Sequence, residues 1–178
     1  VERIGLLLVA GDKGLCGAFN AQMIQKAREF ARETDARIST ITVGARTAEM
    51  ARRARLNVTR EFPAINERER GADVRAIARH VMRLYDTADV DRVVCCYSRF
   101  LSRISNEPDI QQVLPVPLPE PGPEPDEPIL EPPARELVTA VLPQYIVARI
   151  FQLLLSTAVS EHSARLMAMT AATDNAEE

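Results

Sequence analysis

The sequence predicts an α/β protein: a mainly parallel sheet with flanking helices, continued by a long C-terminal coiled-coil helix. Three observations predict it. Aliphatic runs alternate with segments of helical period. Each crossover between those runs is long enough to hold a helix, as parallel strands require. Residues 144–178 contain neither glycine nor proline, so nothing in them ends a helix.

The elements follow in order. "RIGLLLVA" (3–10) is a continuous aliphatic run, the pattern of a strand buried on both faces. "AQMIQKAREFARET" places Met23, Ile24, Ala27, Phe30 and Ala31 at helical spacing, with Asn20 as the expected N-cap. "ARISTITVG" (36–44) is a second strand and leads into the helical "ARTAEMARRARLN"; a helix from about 72 to 85 precedes the strand "DRVVCCYSRF" (91–100). "NVTREFP" and "DIQQVLPV" are weaker strands, the latter assigned to an edge because Pro115 and Pro117 cannot donate to a central ladder. The topology is therefore Rossmann-like.

Nine of the twelve prolines lie between Pro115 and Pro133, among Glu120, Glu124, Asp126, Glu127 and Glu131. Such a segment cannot build a core; an acidic, extended spacer accounts for it better than a proline-rich ligand does. Residues 1–117 are thus expected as the α/β globular domain, 118–133 as a proline-rich acidic linker and 134–178 as C-terminal helices, with Pro143 at a break or in the first turn of a second helix. Beyond it Val147, Ile150, Leu154, Thr157, Ala164, Ala168 and Ala171 recur at spacings of three and four, interrupted by Glu161. Residues 144–158 are expected in the core. The alanine-rich stretch 160–178 buries too little to stand alone and calls for a partner helix.

With 46% apolar and 26% charged residues, the chain has the composition of a globular protein, and at 178 residues it can bury about 70% of its unfolded surface. A net charge of −3 argues against a general nucleic-acid surface. Arg52, Arg53 and Arg55 form a short basic cluster expected on a solvated helix face. Cys16, Cys95 and Cys96 offer no disulfide framework, which fits a reducing compartment. No apolar run approaches the roughly 20 residues of a membrane span, and "NVT" at Asn57 reads as a chance sequon. Val1 is not methionine and "MTAATDNAEE" has no glycine stop, so a piece of a longer chain is expected.

The turn "GDKGLCGAFN" (11–20) raises three chemistries: a phosphate cradle, a catalytic thiol and a surface for another protein. A Walker loop needs GxxxxGK followed by Ser or Thr, which is absent; a dinucleotide fingerprint needs GxGxxG, whereas Gly11, Gly14 and Gly17 are each three apart, although the strand-turn-helix setting and Asp35 are superficially right. Cys16 beside Lys13 and a helix start could be activated, yet neither His80 nor His162 is placed as its base. No HExxH, GxSxG or CxxC occurs, so metal and acyl chemistry have no visible constellation. An exposed, shape-specific turn at the end of the first strand remains as a contact surface.

"GDKGLCGAFN" resembles the signature turn of the gamma subunit of F-type ATP synthases, normally Ser or Thr, then Asp-Arg-Gly-Leu-Cys-Gly-Gly, an aromatic or Leu, and Asn. Asp12, Gly14, Leu15, Cys16, Gly17 and Asn20 match; Lys13 keeps the charge, while Gly11 and Ala18 depart. "SEHSARLMAMTAATDNA" is similar to that family's C-terminal motif, with Glu161, Arg165, Ala168, Met169, Ala172, Thr173, Asn175 and Ala176 in register. "VGART", "VVCCYSRFLSRISNEPDIQQVLPVP" and the linker also resemble the family's middle.

The resemblance implies a central-stalk rotor subunit that couples ion-driven rotation of a membrane ring to ATP synthesis or hydrolysis in an alpha-beta hexamer, with no catalytic residues, cofactor or metal of its own. The implied partners are the alpha and beta subunits, the epsilon subunit, the membrane c-ring and the chain's own missing N-terminal helix, with no nucleic acid. The implied location is the cytoplasmic face of a bacterial inner or plasma membrane, peripheral and not inserted. The implied partner-binding residues are Asp12, Lys13, Gly14, Leu15, Cys16, Gly17, Asn20, Glu161, Arg165, Met169, Thr173 and Asn175, with Cys16 exposed beneath the hexamer and Arg165 and Asn175 tying the terminal helix to its partner helix or a beta subunit. The rival, carried by strand-turn-helix topology alone, is a stand-alone doubly wound nucleotide-binding enzyme; a weaker third is an adaptor using its proline-rich loop.

Overall fold

The computed structural model describes residues 1–65, 70–117 and 133–177. Along the chain they form β1 (Glu2–Val9), α1 (Phe19–Glu33), β2 (Ala36–Val43), α2 (Ala45–Arg53), β3 (Val58–Phe62), α3 (Arg70–Asp86), β4 (Arg92–Ser102), β5 (Ser105–Leu114) and α4 (Ala134–Glu177). The expected linker residues 118–132 lie outside the described residues.

The five strands make one sheet in the order β3-β2-β1-β4-β5. β1 runs parallel to both neighbours, pairing Leu8 with Thr42 on one side and with Cys96 on the other; β5 alone returns antiparallel to β4. The strand order reverses at β1, so the crevice above its carboxyl end is the sheet's topological switch point. The second weak strand is longer than the sequence implied and begins at Ser105, so Pro115 and Pro117 fall just beyond it. Its own Pro108 sits on the edge strand opposite Ser98, where no ladder donor is needed.

From Ile4 onward β1 carries no polar side chain because both faces are covered. Ile4, Leu6 and Leu8 pack with Met23 and Ala27 of α1 and Ala51 of α2. Leu7 and Val9 pack on the opposite side with Val74, Ile77 and Val81 of α3 and with Ile146, Ile150, Leu153 and Leu154 of α4. Each large aliphatic side chain so buried contributes about 1.5–3 kcal/mol.

Four expectations change. α1 starts at Phe19 with Ala18 at the cap position, so Asn20 lies inside the first turn and does not cap it. α4 is one helix through Pro143; the carbonyl that proline leaves unbonded is that of Thr139, an exposed residue whose carbonyl water can satisfy. By length and composition α4 is also apolar enough to cross a membrane, contrary to the reading that no such run exists; Ile146, Ile150, Leu153 and Leu154 pack in the core of the sheet, while Val138, Val141, Phe151 and Leu155 stay exposed. Finally, the docked part of α4 extends past 158: Ser160 and Ser163 are buried, Ala164 and Arg165 half-buried, and beyond them, from Leu166 onward, the helix is almost wholly exposed.

Candidate functional site: the β1–α1 turn and its clamp on α4

The turn leaves β1 at the switch point and is held from both sides. Gly11 N–H donates to Asn20 Oδ1 at 2.7 Å in a buried hydrogen bond, folding the turn back over its own helix. Gly11 is tightly enclosed: a Cβ there would stand 2.7 Å from Glu161 Cδ and 2.9 Å from Asn20 Oδ1, so a side chain would require Glu161 to shift. The Asp12 carboxylate faces the start of α2, where Oδ1 accepts from Arg46 N–H at 3.4 Å and lies against Gly44. It supplies negative charge to a helix N-terminus whose own first turn has no acid. Arg46 and Gly44 lie in the "VGART" stretch but are not among the sequence-derived site residues, since only the fold brings β2's end beside β1's.

The next residues carry the strain and the exposure. Leu15 adopts φ 61° and Gly17 φ 59°. At Gly17 a Cβ would meet only Ala168 Cβ at 3.8 Å, so its requirement is backbone conformation and not space. Leu15 is 78% exposed, an apolar side chain offered to solvent from a left-handed residue. Ala18 has φ −81°, which explains how alanine stands where glycine was expected.

Cys16 is buried at 5% exposure, which corrects the expectation of an exposed thiol. Its Sγ accepts from Asn20 Nδ2 at 3.5 Å and lies 3.8 Å from the Lys13 carbonyl, so it serves as an internal brace and cannot itself touch a partner in this conformation. Asn20, likewise buried, uses its oxygen on Gly11 and its nitrogen on Cys16.

α4 closes the turn from above. Glu161 and Arg165, one helical turn apart, form an ion pair with side chains 16% and 20% exposed. Glu161 Oε1 also accepts from Lys13 N–H at 3.3 Å, and Arg165 Nε donates to the Gly14 carbonyl at 3.1 Å. The guanidinium expected to reach a second helix is thus engaged on its own domain. Of the sequence-derived site residues, the fold brings Asp12 through Asn20 together with Glu161 and Arg165; Met169, Thr173 and Asn175 lie farther along α4 on exposed turns.

This geometry counts against two of the three chemistries. A doubly wound enzyme keeps its switch-point crevice open and lined with backbone N–H groups for phosphate. Here a carboxylate from α4 already takes the Lys13 N–H and crowds Gly11. The hydrogen-bond partners of Cys16 include no imidazole, and His80 is packed edge-on against Phe62 at 5.6 Å. Among the described residues no three His, Cys, Asp or Glu side chains gather as a metal site.

This is an α/β domain whose switch point is filled by its own terminal helix and which offers that helix's outer turns to solvent, not an open nucleotide site. The chain belongs to the ATP synthase family, whose model matches residues 1–178. It is 33% identical over 178 residues to the ATP synthase gamma chain of Desulfitobacterium hafniense, covering all of this chain and 63% of that one. It is 36% identical over 174 residues to the gamma chain of Solibacter usitatus, covering 97% and 60%. The chain therefore spans about three fifths of the length of the curated relatives it matches. In fold it is similar to a chain of the central stalk and c-ring of Tetrahymena thermophila mitochondrial ATP synthase, with TM-score 0.73, 20% identity, and coverage of 97% of this chain and 76% of that one. It is also similar to a chain of the Euglena gracilis mitochondrial ATP synthase rotor, with TM-score 0.66, 17% identity and coverage of 98% and 67%.

Proposed function

We propose that this chain is the globular part of a central-stalk rotor subunit, coupling ion-driven rotation of a membrane ring to ATP synthesis or hydrolysis in an alpha-beta hexamer. The observation that carries it is the clamp: the two stretches that resemble the gamma subunit's signatures, far apart in sequence, close on each other through Glu161 and Arg165. The clamp fixes the direction in which the exposed turns from Leu166 to Ala176 leave the domain. The subunit performs no bond chemistry. A shaft biases its catalytic neighbours only through contacts that differ between their conformations, because a partner complementary to every state shifts none of them.

In this reading Lys13, Leu15, Met169, Thr173 and Asn175 present the contact surface to the hexamer, while Asp12, Gly14, Cys16, Gly17, Asn20, Glu161 and Arg165 hold its shape. The alpha and beta subunits, the epsilon subunit, the c-ring and an N-terminal helix of the complete protein are the partners, and the protein is peripheral to a bacterial membrane on its cytoplasmic side. The test is reconstitution of the full-length protein with the hexamer and membrane sector: ATP-driven ion pumping that requires this subunit supports the reading, and pumping without it refutes it. Micromolar binding of ATP or NAD by the isolated domain would favour the enzyme instead. Loss of subunit binding on deleting residues 118–133 would favour the adaptor.

A further inference from the structure

β4 outruns its neighbour. The last β1–β4 pair is Leu8 with Cys96, yet β4 continues to Ser102. In a strand the backbone groups of alternate residues face the same edge. Ser98 lies opposite Pro108, which has no N–H to give, so the N–H and carbonyl of Ser98 turn away from β5 toward the edge that β1 has vacated. The same edge receives the N–H of Phe100. Unpaired, these groups would be costly, because Ser98 is fully buried.

α4 supplies what β1 does not. Thr157 Oγ1 accepts from Ser98 N–H at 3.0 Å and donates onward to the Leu153 carbonyl at 3.0 Å. Ser156 Oγ accepts from Phe100 N–H at 3.1 Å and donates to the Ser98 carbonyl at 2.8 Å. About two helical turns further along, Ser163 Oγ donates to the Arg103 carbonyl at 2.7 Å, in the turn of the β4–β5 hairpin. Three hydroxyls on one face of a helix thus stand in for a missing strand, and the contact is directional in a way that aliphatic packing is not. Leucines can slide over a sheet with modest loss. A hydroxyl that must meet a backbone N–H near 3 Å fixes both the rotation of α4 about its axis and its position along it.

We infer that Ser156, Thr157 and Ser163 are positioning residues that lock α4 to the sheet and carry twisting load between the exposed end of the helix and the α/β domain. This rests on the rotor reading. The hydroxyls touch no reactant; they act by setting the angle at which the terminal helix meets its partners.

The test uses the full-length protein in the assembled complex, comparing wild type with Thr157→Val, with Ser156→Ala/Thr157→Val, and with Thr157→Ser as the hydroxyl-retaining control. Thr157→Val keeps the branched shape, so it serves if the double variant fails to assemble. Two readouts are taken. Amide exchange at Ser98 and Phe100 reports the joint itself and should accelerate at least about tenfold. Ions pumped per ATP hydrolysed report the load path and should fall at least about twofold while hydrolysis persists, with Thr157→Ser near wild type on both. Faster exchange with an unchanged pumping ratio overturns the proposal, as does unchanged exchange. If the wild-type complex pumps equally well with this subunit omitted, the rotor reading falls and takes the proposal with it, an outcome the wild-type arm shows separately.

Discussion

Arg165 on α4 donates from Nε to the carbonyl of Gly14 at 3.1 Å, across 151 residues of sequence, while its terminal nitrogen holds Glu161. The guanidinium fork makes both contacts at once, which a point-charge ammonium cannot reproduce. Arg165→Ala leaves a largely buried Glu161 carboxylate without its cation and should destabilise the chain by about 1–3 kcal/mol in urea unfolding. Arg165→Lys should recover only part of that. Equal stability of all three proteins would show that the clamp contributes nothing.

Gly11 and Gly17 separate two reasons for glycine in one turn. At Gly11 a methyl would meet Glu161 and Asn20 below 3.0 Å, so Gly11→Ala should cost about 1–3 kcal/mol by overpacking, and Glu161→Ala should relieve part of it in the double variant. At Gly17 space is ordinary but φ is +59°, so Gly17→Ala should cost about 1–2 kcal/mol and Gly17→Asn less. Thermal unfolding of the four variants distinguishes the two mechanisms.

The three cysteines should be silent in the native protein. Burial holds the Cys95 thiol well above its ordinary range and pushes Cys96 up to about 12, while Cys16 is buried in its brace. A thiol-titrating disulfide reagent at pH 8 should find no rapidly reacting group in the folded state and three after denaturation. Fast native labelling of Cys16 would mean that the turn opens.

His80 gives the fold a pH dependence. Burial, then Arg83 and Arg60, lower its pKa, and its Nδ1 lies 3.0 Å from the Arg83 guanidinium, where it accepts as the neutral ring. A pKa depressed on folding means that the unfolded chain binds the proton more readily. The contribution is therefore fully present above the unfolded value of about 6.5 and is lost as pH falls from there through the folded value. Stability should decline on going from pH 7 to 5, and His80→Gln should flatten that slope; an identical slope in both proteins would assign it to carboxylates.

The parallel sheet was legible because burial on both faces writes aliphatic runs such as "RIGLLLVA" and helices write their period beside them. The turn's boundaries were less so. Asn20 looks like a cap, since its type and place fit one, but tertiary contact with Gly11 claims its oxygen. The resemblance implies an exposed Cys16, but the thiol packs into the turn's own core with Phe19 and Met23 and is braced by Asn20, contacts no sequence pattern shows. Pro143 reads as a break because sequence does not show that the carbonyl it orphans belongs to an exposed residue. Thr157 reads as a member of the seam that Glu161 interrupts; that its hydroxyl completes β4 depends on where β1 stops, a property of the sheet and not of the helix.

Rotation itself tests the central claim most directly. With the full-length protein assembled into a surface-anchored hexamer and a bead attached through Gln22→Cys on the exposed side of α1, addition of ATP should drive the bead in one direction in steps. A bead that stays still, or only diffuses, while the same complexes hydrolyse ATP would contradict the account.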